Sequence, residues 1–190
     1  PDYYHEVAAR LADKTPNSLY INQFGNDANP AAHYETTGPE VWDQLEGKVD
    51  AIVLGVGTGG TLTGMGKALR EKNPDLKIIL ADPAESMLNP LVNEGKRVEA
   101  GSWLIEGMGE DFVPDVCDLD LCDEAIPVTD AEAFFMAREV LAKARDDILP
   151  ADVEVTVTRD YGRTASANAR ALLVQLLGAT VTIVLLIGLA

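Results

Sequence analysis

From Tyr3 to Lys14 the apolar residues Val7, Ala8, Leu11 and Ala12 recur on one side of a 3.6-residue period, which predicts an amphipathic helix. Leu19-Tyr20-Ile21 predicts a short strand. Thr36-Thr37-Gly38-Pro39-Glu40 has the proline and acidic residue of a helix start, with Val41, Trp42 and Leu45 as the inward face. Ala51-Ile52-Val53-Leu54 is a continuous apolar run, as in a parallel strand buried on both faces. Helical spacing returns from Thr63 to Lys72, and Lys77-Ile78-Ile79-Leu80-Ala81 predicts the next strand. Asp130 to Arg145 predicts a further helix, with Asp130 as N-cap and Ala133, Phe134, Ala137, Val140 and Leu141 on its apolar side.

Strand, glycine-rich loop, helix and strand in immediate succession make a βαβ unit, so the fold class is α/β with a parallel sheet. The pattern changes near Pro150. Residues 171–190 carry no charge and are apolar on every face, which predicts a membrane-spanning helix, since about 20 such residues cross a bilayer. The expected organisation is therefore a domain at 1–148 and an unrelated-looking tail at 149–190.

Charge follows the same division. The chain has a net charge of −16, and residues 1–150 hold 12 Lys+Arg against 28 Asp+Glu, which accounts for all of it. Such a surface does not suit nucleic acid, whose phosphates need clustered Lys and Arg. Cys117 and Cys122 are the only cysteines, and His5 and His33 lie far from them in sequence. A four-ligand zinc site is not expected, and the cysteines read as reduced thiols of a cytoplasmic protein. The start, Pro1-Asp2-Tyr3-Tyr4-His5-Glu6, has neither the basic end nor the apolar core of a signal peptide, and it lacks an initiating Met. An internal piece of a longer protein is expected.

The residues that carry chemistry are Gly55-Val56-Gly57-Thr58-Gly59-Gly60-Thr61-Leu62-Thr63-Gly64, where a strand hands over to a helix. Glycines let the backbone approach a ligand closely, and the free N–H groups of a helix N-terminus attract an anion. Thr58 and Thr61 add hydroxyl donors. A phosphate is the natural guest. The P-loop pattern fails, because no Lys-Ser or Lys-Thr follows the glycines. Gly55 to Gly60 does match the dinucleotide pattern G-x-G-x-x-G, with Asp82 as the ribose acid, so a nicotinamide-dependent oxidoreductase is an alternative. Spacing alone does not choose between the two kinds of phosphate ligand.

Three segments in order, Asn22-Gln23-Phe24-Gly25-Asn26-Asp27-Ala28-Asn29-Pro30, Ala32-His33-Tyr34-Glu35-Thr36-Thr37-Gly38-Pro39-Glu40 and Gly55 to Gly64, resemble the cystathionine β-synthase and cysteine synthase family. These are fold-type-II pyridoxal-phosphate enzymes, and the resemblance covers roughly residues 1–145. It implies part of the family's large domain, with pyridoxal 5'-phosphate held at its phosphate by Gly57, Thr58, Gly59, Gly60 and Thr61. It implies that Gln23 lies near the substrate carboxylate, while His33, Tyr34 and Glu35 are packing residues. Leu104 to Pro114 is similar to the E-G-x-G-x-D-F-x-P stretch of cystathionine β-synthases, with Gly107 and Gly109 bordering the substrate at the mouth of the site. Glu106 and Asp111 favour that subfamily over cysteine synthases, which use O-acetylserine and sulfide. The implied reaction is β-replacement, in which a thiol, homocysteine in the cystathionine case, displaces the β-substituent of a serine-type amino acid. The family also implies a homodimer acting on small amino acids.

The chain departs from the family in one decisive respect. The Schiff-base lysine belongs to an upstream segment, and none of Lys14, Lys48, Lys67, Lys72, Lys77, Lys96 and Lys143 has its context. No catalytic residue is assigned, and the chain by itself is expected to be inactive. The family's asparagine loop and its Gly-Gly-Ser segment are also missing. In place of the latter, residues 150–190 resemble resistance-nodulation-division efflux transporters where their periplasmic domain re-enters the membrane. On the tail alone, a membrane-transport component is the remaining alternative.

Overall fold

The computed structural model of the protein describes residues 3–144. The packing described is that of the compact unit Pro1–Glu139. The tail at 149–190, its apolar run at 171–190 and the predicted helix end at Arg145 lie outside the described residues. Among the described residues, no helix is long and apolar enough to cross a membrane.

Helix α1 (Tyr4–Lys14) forms where the period predicts it, yet buries none of its residues, and Leu11 is exposed. The strand expected at Leu19–Ile21 is absent. Leu19 and Ile21 are exposed, and the Ile21 carbonyl accepts from Asn26 Nδ2 instead of from a ladder partner. Asn22, at φ 50°, turns the chain away at once, so the apolar residues are too few and too bent to pair.

A helical run then starts earlier than the sequence suggests. Helix α2 (Ala28–Ala32) opens on an Asn26 side chain that accepts from Ala28 N, and passes through a π-helical turn (His33–Thr37) into α3 (Gly38–Gln44). Thr37 and Gly38 are both right-handed helical, so Gly38-Pro39 continues a helix rather than starting one. Val41 and Trp42 pack on the core as expected, whereas Leu45 is exposed at the end of α3.

The centre is β1 (Ala51–Leu54), α4 (Gly60–Lys72) and β2 (Lys77–Pro83), followed by α5 (Leu88–Glu94), β3 (Glu124–Val128) and α6 (Asp130–Lys143). The three strands are parallel in the order β1-β2-β3. The register sets Ile52 opposite Ile78, and Leu54 opposite Leu80, which in turn faces Ala125. That face of the sheet forms one cluster with Leu62, Met65 and Leu69 of α4. Burial of each large side chain there contributes about 1.5–3 kcal/mol. The opposite face differs from expectation: Val53 is 63% and Ile126 43% exposed, so β1 alternates instead of being buried on both sides. Alternation follows when only one side of a sheet is packed.

Helix α6 is capped by Thr129 rather than Asp130. The Thr129 hydroxyl and N–H both donate to Glu132, and Glu132 N donates back to Thr129 Oγ1, a reciprocal capping box. Asp130 is used elsewhere, with both carboxylate oxygens accepting from Leu104 N at 3.0 Å. None of the residues on the predicted apolar side of α6 is buried.

Candidate functional site

The glycine loop leaves the C-terminal end of β1 and becomes α4 at Gly59, which stands at φ 81° and begins the helix by accepting from Thr63 N. This left-handed angle suits glycine. Gly59 has no side chain to cap α4, and Gly60 N donates to Thr58 Oγ1 at 3.4 Å, so the N–H groups of Thr61 and Leu62 are left to present a partial positive charge at the start of the helix.

Two neighbours fix the loop's hydroxyls. Asn29, at the start of α2, donates through Nδ2 to Thr58 Oγ1 at 2.9 Å and to the Gln23 carbonyl at 2.8 Å. Because Thr58 Oγ1 accepts from Asn29, its own hydrogen is left to donate. Thr61 Oγ1 lies 3.1 Å from His33 Nε2, and His33 Nδ1 lies 2.9 Å from Thr37 Oγ1. The imidazole thereby fixes the Thr61 hydroxyl on the loop. His33 thus bridges Thr37 of the π-helical turn to Thr61 of the loop.

All five residues expected to hold phosphate, Gly57, Thr58, Gly59, Gly60 and Thr61, are brought together on this turn. The Gln23 backbone carbonyl is linked to Thr58 through Asn29 Nδ2, by two hydrogen bonds. Gly107 and Gly109 also come to the loop: the Gly107 carbonyl stands 2.7 Å from the place a Cβ on Gly57 would take, and Gly109 N donates to Val56 O at 2.8 Å. The sequence assigns Asn29 no role of its own and expects His33 only to pack, whereas the structure hydrogen-bonds both to the loop's threonines. Asn29 has no local signal for its role, whereas the i,i+4 pair His33–Thr37 could have suggested a fixed imidazole.

The electrostatics fit an anionic guest held by neutral donors. Cys117 packs under Gly59, and burial pushes its thiol up to about 12, so no thiolate opposes an anion above it. Cys122 is likewise a free thiol, pushed up to about 11 by burial. Among the described residues, no group of three or more His, Cys, Asp or Glu could hold a metal ion.

Asp82 does not serve as a ribose acid. It is 1% exposed at the end of β2, and its Oδ2 accepts from Asn89 N at 2.9 Å and Asn89 Nδ2 at 3.1 Å. Burial raises its carboxyl above the ordinary value. A side chain committed to the start of α5 is not presented to a dinucleotide.

Glu110, next to Gly109, is half-buried. Burial first, then the nearby Asp111 and Asp82 charges, push its carboxyl up to about 7. The Glu110 backbone is held by Ser86, whose hydroxyl donates to its carbonyl at 3.1 Å and accepts from its N–H at 3.2 Å.

Comparison with known proteins agrees with this geometry. Residues 1–151 match the family described as pyridoxal-phosphate dependent enzymes. A cystathionine beta-synthase of Apis mellifera is 41% identical over 141 residues, 74% of this chain and 28% of that protein. Cysteine synthase 3 of Caenorhabditis elegans is 45% identical over 130 residues, 68% of this chain and 37% of that protein. A cysteine synthase of Buchnera aphidicola subsp. Schizaphis graminum is 40% identical over 131 residues, 68% of this chain and 41% of that protein. The chain therefore spans 28–41% of the length of these relatives. The family match stops at residue 151, and the resemblance of the tail to efflux transporters is not borne out. By the extent of that match, the chain belongs to the pyridoxal-phosphate dependent enzymes, whose cofactor is pyridoxal 5'-phosphate.

Proposed function

We propose that residues 1–148 are the cofactor-phosphate-holding part of a β-replacement enzyme that makes cystathionine from serine and homocysteine. One observation carries the reading: the N-terminus of α4 stands beside two threonine hydroxyls, Thr58 and Thr61, which Asn29 and His33 hold in place. A phosphate fits such a cradle because every group facing it is a neutral donor. Gly57, Thr58, Gly59, Gly60 and Thr61 hold the phosphate, and Gln23, Gly107 and Gly109 border the substrate.

Bound pyridoxal phosphate supplies the electron sink for breaking and making bonds at the amino acid's β-carbon. The chain's own part is to bind and orient. Thr58 and Thr61 donate to phosphate oxygens, and the α4 N–H groups offset their charge. Asn29 ties the substrate-side Gln23 segment to the same loop, so phosphate and substrate carboxylate are positioned by one connected set of bonds. Gly107 and Gly109 keep the mouth free of side chains.

Cysteine synthase activity is the second reading, favoured by the similarity to Cysteine synthase 3 of Caenorhabditis elegans. The parent enzyme acts as a homodimer on small amino acids in the cytoplasm, a setting that the free thiols of Cys117 and Cys122 suit.

Titration of pyridoxal phosphate into the chain, followed by calorimetry, tests the cradle. Thr58→Ala and Thr61→Ala should each weaken binding about tenfold, since a hydrogen bond to a charged group contributes about 1.5–3 kcal/mol. Equal binding by both variants would overturn the assignment. In the longer protein with its lysine, cystathionine from serine and homocysteine supports the first reading. Cysteine from O-acetylserine and sulfide alone supports the second.

A further inference from the structure

A cavity of about 240 Å³ opens between the start of α1 and the chain from Ala100 to Phe112. Tyr3, Tyr4 and His5 line one side, and Trp103 and Phe112 the other. The rings are mutually packed: Tyr3 stacks on His5 at 5.5 Å, and His5 lies 5.6 Å from both Tyr4 and Phe112. The charged residues in the lining are Glu110 and Asp111, and no Lys or Arg is among the described residues that line it. Asp111 is oriented by the Tyr3 hydroxyl, which donates to it. His5 Nδ1 is buried without a hydrogen-bond partner, an unusual state for a ring nitrogen in a folded chain.

Aromatic faces and carboxylates share one preference, for an organic cation. Trp103 Nε1 is already spent on the Met108 carbonyl at 3.0 Å, so this residue offers its ring rather than its N–H. The cavity also lies directly across the Gly107–Gly109 turn from the phosphate loop. Trp103 holds Met108, Gly109 N donates to Val56 O, and Gly107 abuts Gly57.

We propose that this cavity binds the primary ammonium group of an amino-acid ligand, the group an amino-acid thiol carries and sulfide lacks. The proposal rests on the β-replacement reading and names the feature that would select an amino-acid thiol as second substrate. Glu110 and Asp111 supply the counter-charge, and the rings of Tyr3, Tyr4, Trp103 and Phe112 flank the ammonium. Asp82, buried below Glu110, adds negative charge without touching the ligand. Because Glu110 stays partly protonated near neutral pH among Asp111, Asp82, Tyr3, Tyr4 and His5, a bound cation favours its ionised form.

The chain has two tryptophans, so a Trp42→Phe background leaves Trp103 as the sole reporter. Titrating n-butylammonium chloride against n-butanol, at matched ionic strength, should give a saturable change in Trp103 fluorescence with the ammonium alone. Glu110→Gln should weaken it at least tenfold, Glu110→Asp should retain it, and Tyr4→Ala, at a 66% exposed position, should weaken it without disturbing the fold. An equal response to n-butanol, or full binding by Glu110→Gln, would overturn the proposal. Pyridoxal phosphate binding, followed by calorimetry on the same variants, separates the two readings. Ammonium binding without cofactor binding removes the β-replacement reading and leaves a cation pocket. Cofactor binding without an ammonium response removes the pocket alone.

Discussion

Two glycine-rich stretches meet at the candidate site, and Gly64 in one and Gly107 in the other need glycine for opposite reasons. Along Gly55–Gly64 the space that a side chain would fill is already occupied by other parts of the protein. A Cβ on Gly60 would enter the Asn29 side chain, and one on Gly64 would strike the Pro30 carbonyl and stand 2.7 Å from Tyr34 N. At Gly107 nothing lies within 4 Å of such a Cβ, and only the backbone angle, φ 83°, asks for glycine. At Gly60 and Gly64 the demand comes from α2 and the π-helical turn packed on α4; at Gly107 it comes from the backbone alone, and Gly109 combines both, with φ 84° and Pro83 Cγ 2.7 Å from its Cβ position. Close-packed walls tolerate no added methyl, whereas an open turn tolerates one at the cost of local strain.

Substitutions should separate the two kinds of demand. Gly64→Ala meets backbone atoms on both sides, which have no rotamer to change, so about 3 kcal/mol of stability should be lost. Urea denaturation followed by circular dichroism reads this directly, and a loss under about 1 kcal/mol would mean that α2 can slide on α4. Gly60→Ala meets a side chain that can rotate, so its stability cost should be smaller, about 1–2 kcal/mol. Its functional cost should be larger, because a displaced Asn29 releases both Thr58 and the Gln23 carbonyl. Pyridoxal phosphate affinity should fall with Gly60→Ala and remain with Gly107→Ala.

Gly107→Ala should cost about 1 kcal/mol, the strain of a left-handed angle for a residue with a Cβ. Gly107→Asn should recover part of that, since asparagine tolerates the conformation. Gly60→Asn should recover nothing. If alanine and asparagine behave alike at Gly107, the turn rearranges and its angle is not what fixes glycine there.

The same division explains how much of the molecule was legible in the sequence. The βαβ unit was readable because Ile52, Ile78 and Leu80 lie in short apolar runs flanking a loop whose glycines mark the turn. The residues proposed to hold phosphate rest on the same kind of local signal, the glycines and threonines of that loop. What the sequence hid depends on distant partners. Nothing near Asn29 says that it will reach Thr58, and nothing in Leu19–Ile21 says that Asn22 will turn the chain away before a strand can pair. Val53 has the same apolar character as Ile52, and its exposure reflects which face of the sheet is covered. Thr129 displaced Asp130 as the cap because Glu132 stands in capping-box spacing with it, and Asp130 was drawn away by Leu104 N.

The smallest effect concerns charge, and it sets the second stretch apart from the first. Thr58 and Thr61 do not titrate near neutral pH, so the phosphate loop should contribute little to the pH dependence of stability. Glu110 should contribute. Its carboxyl stands at about 7 in the folded chain against an ordinary 4.5, so the folded state holds its proton more tightly than the unfolded state. Stabilisation from this group is complete below about 4.5 and is lost as pH rises through about 7. Glu110→Gln removes the titration while keeping the shape. The melting temperature of the variant, relative to the parent, should therefore rise between pH 5 and pH 7.5 by a few degrees at most, as suits a partly solvated group. Two parallel curves across that range would show that Glu110 is ionised throughout and that burial beside Gly109 does not hold its proton.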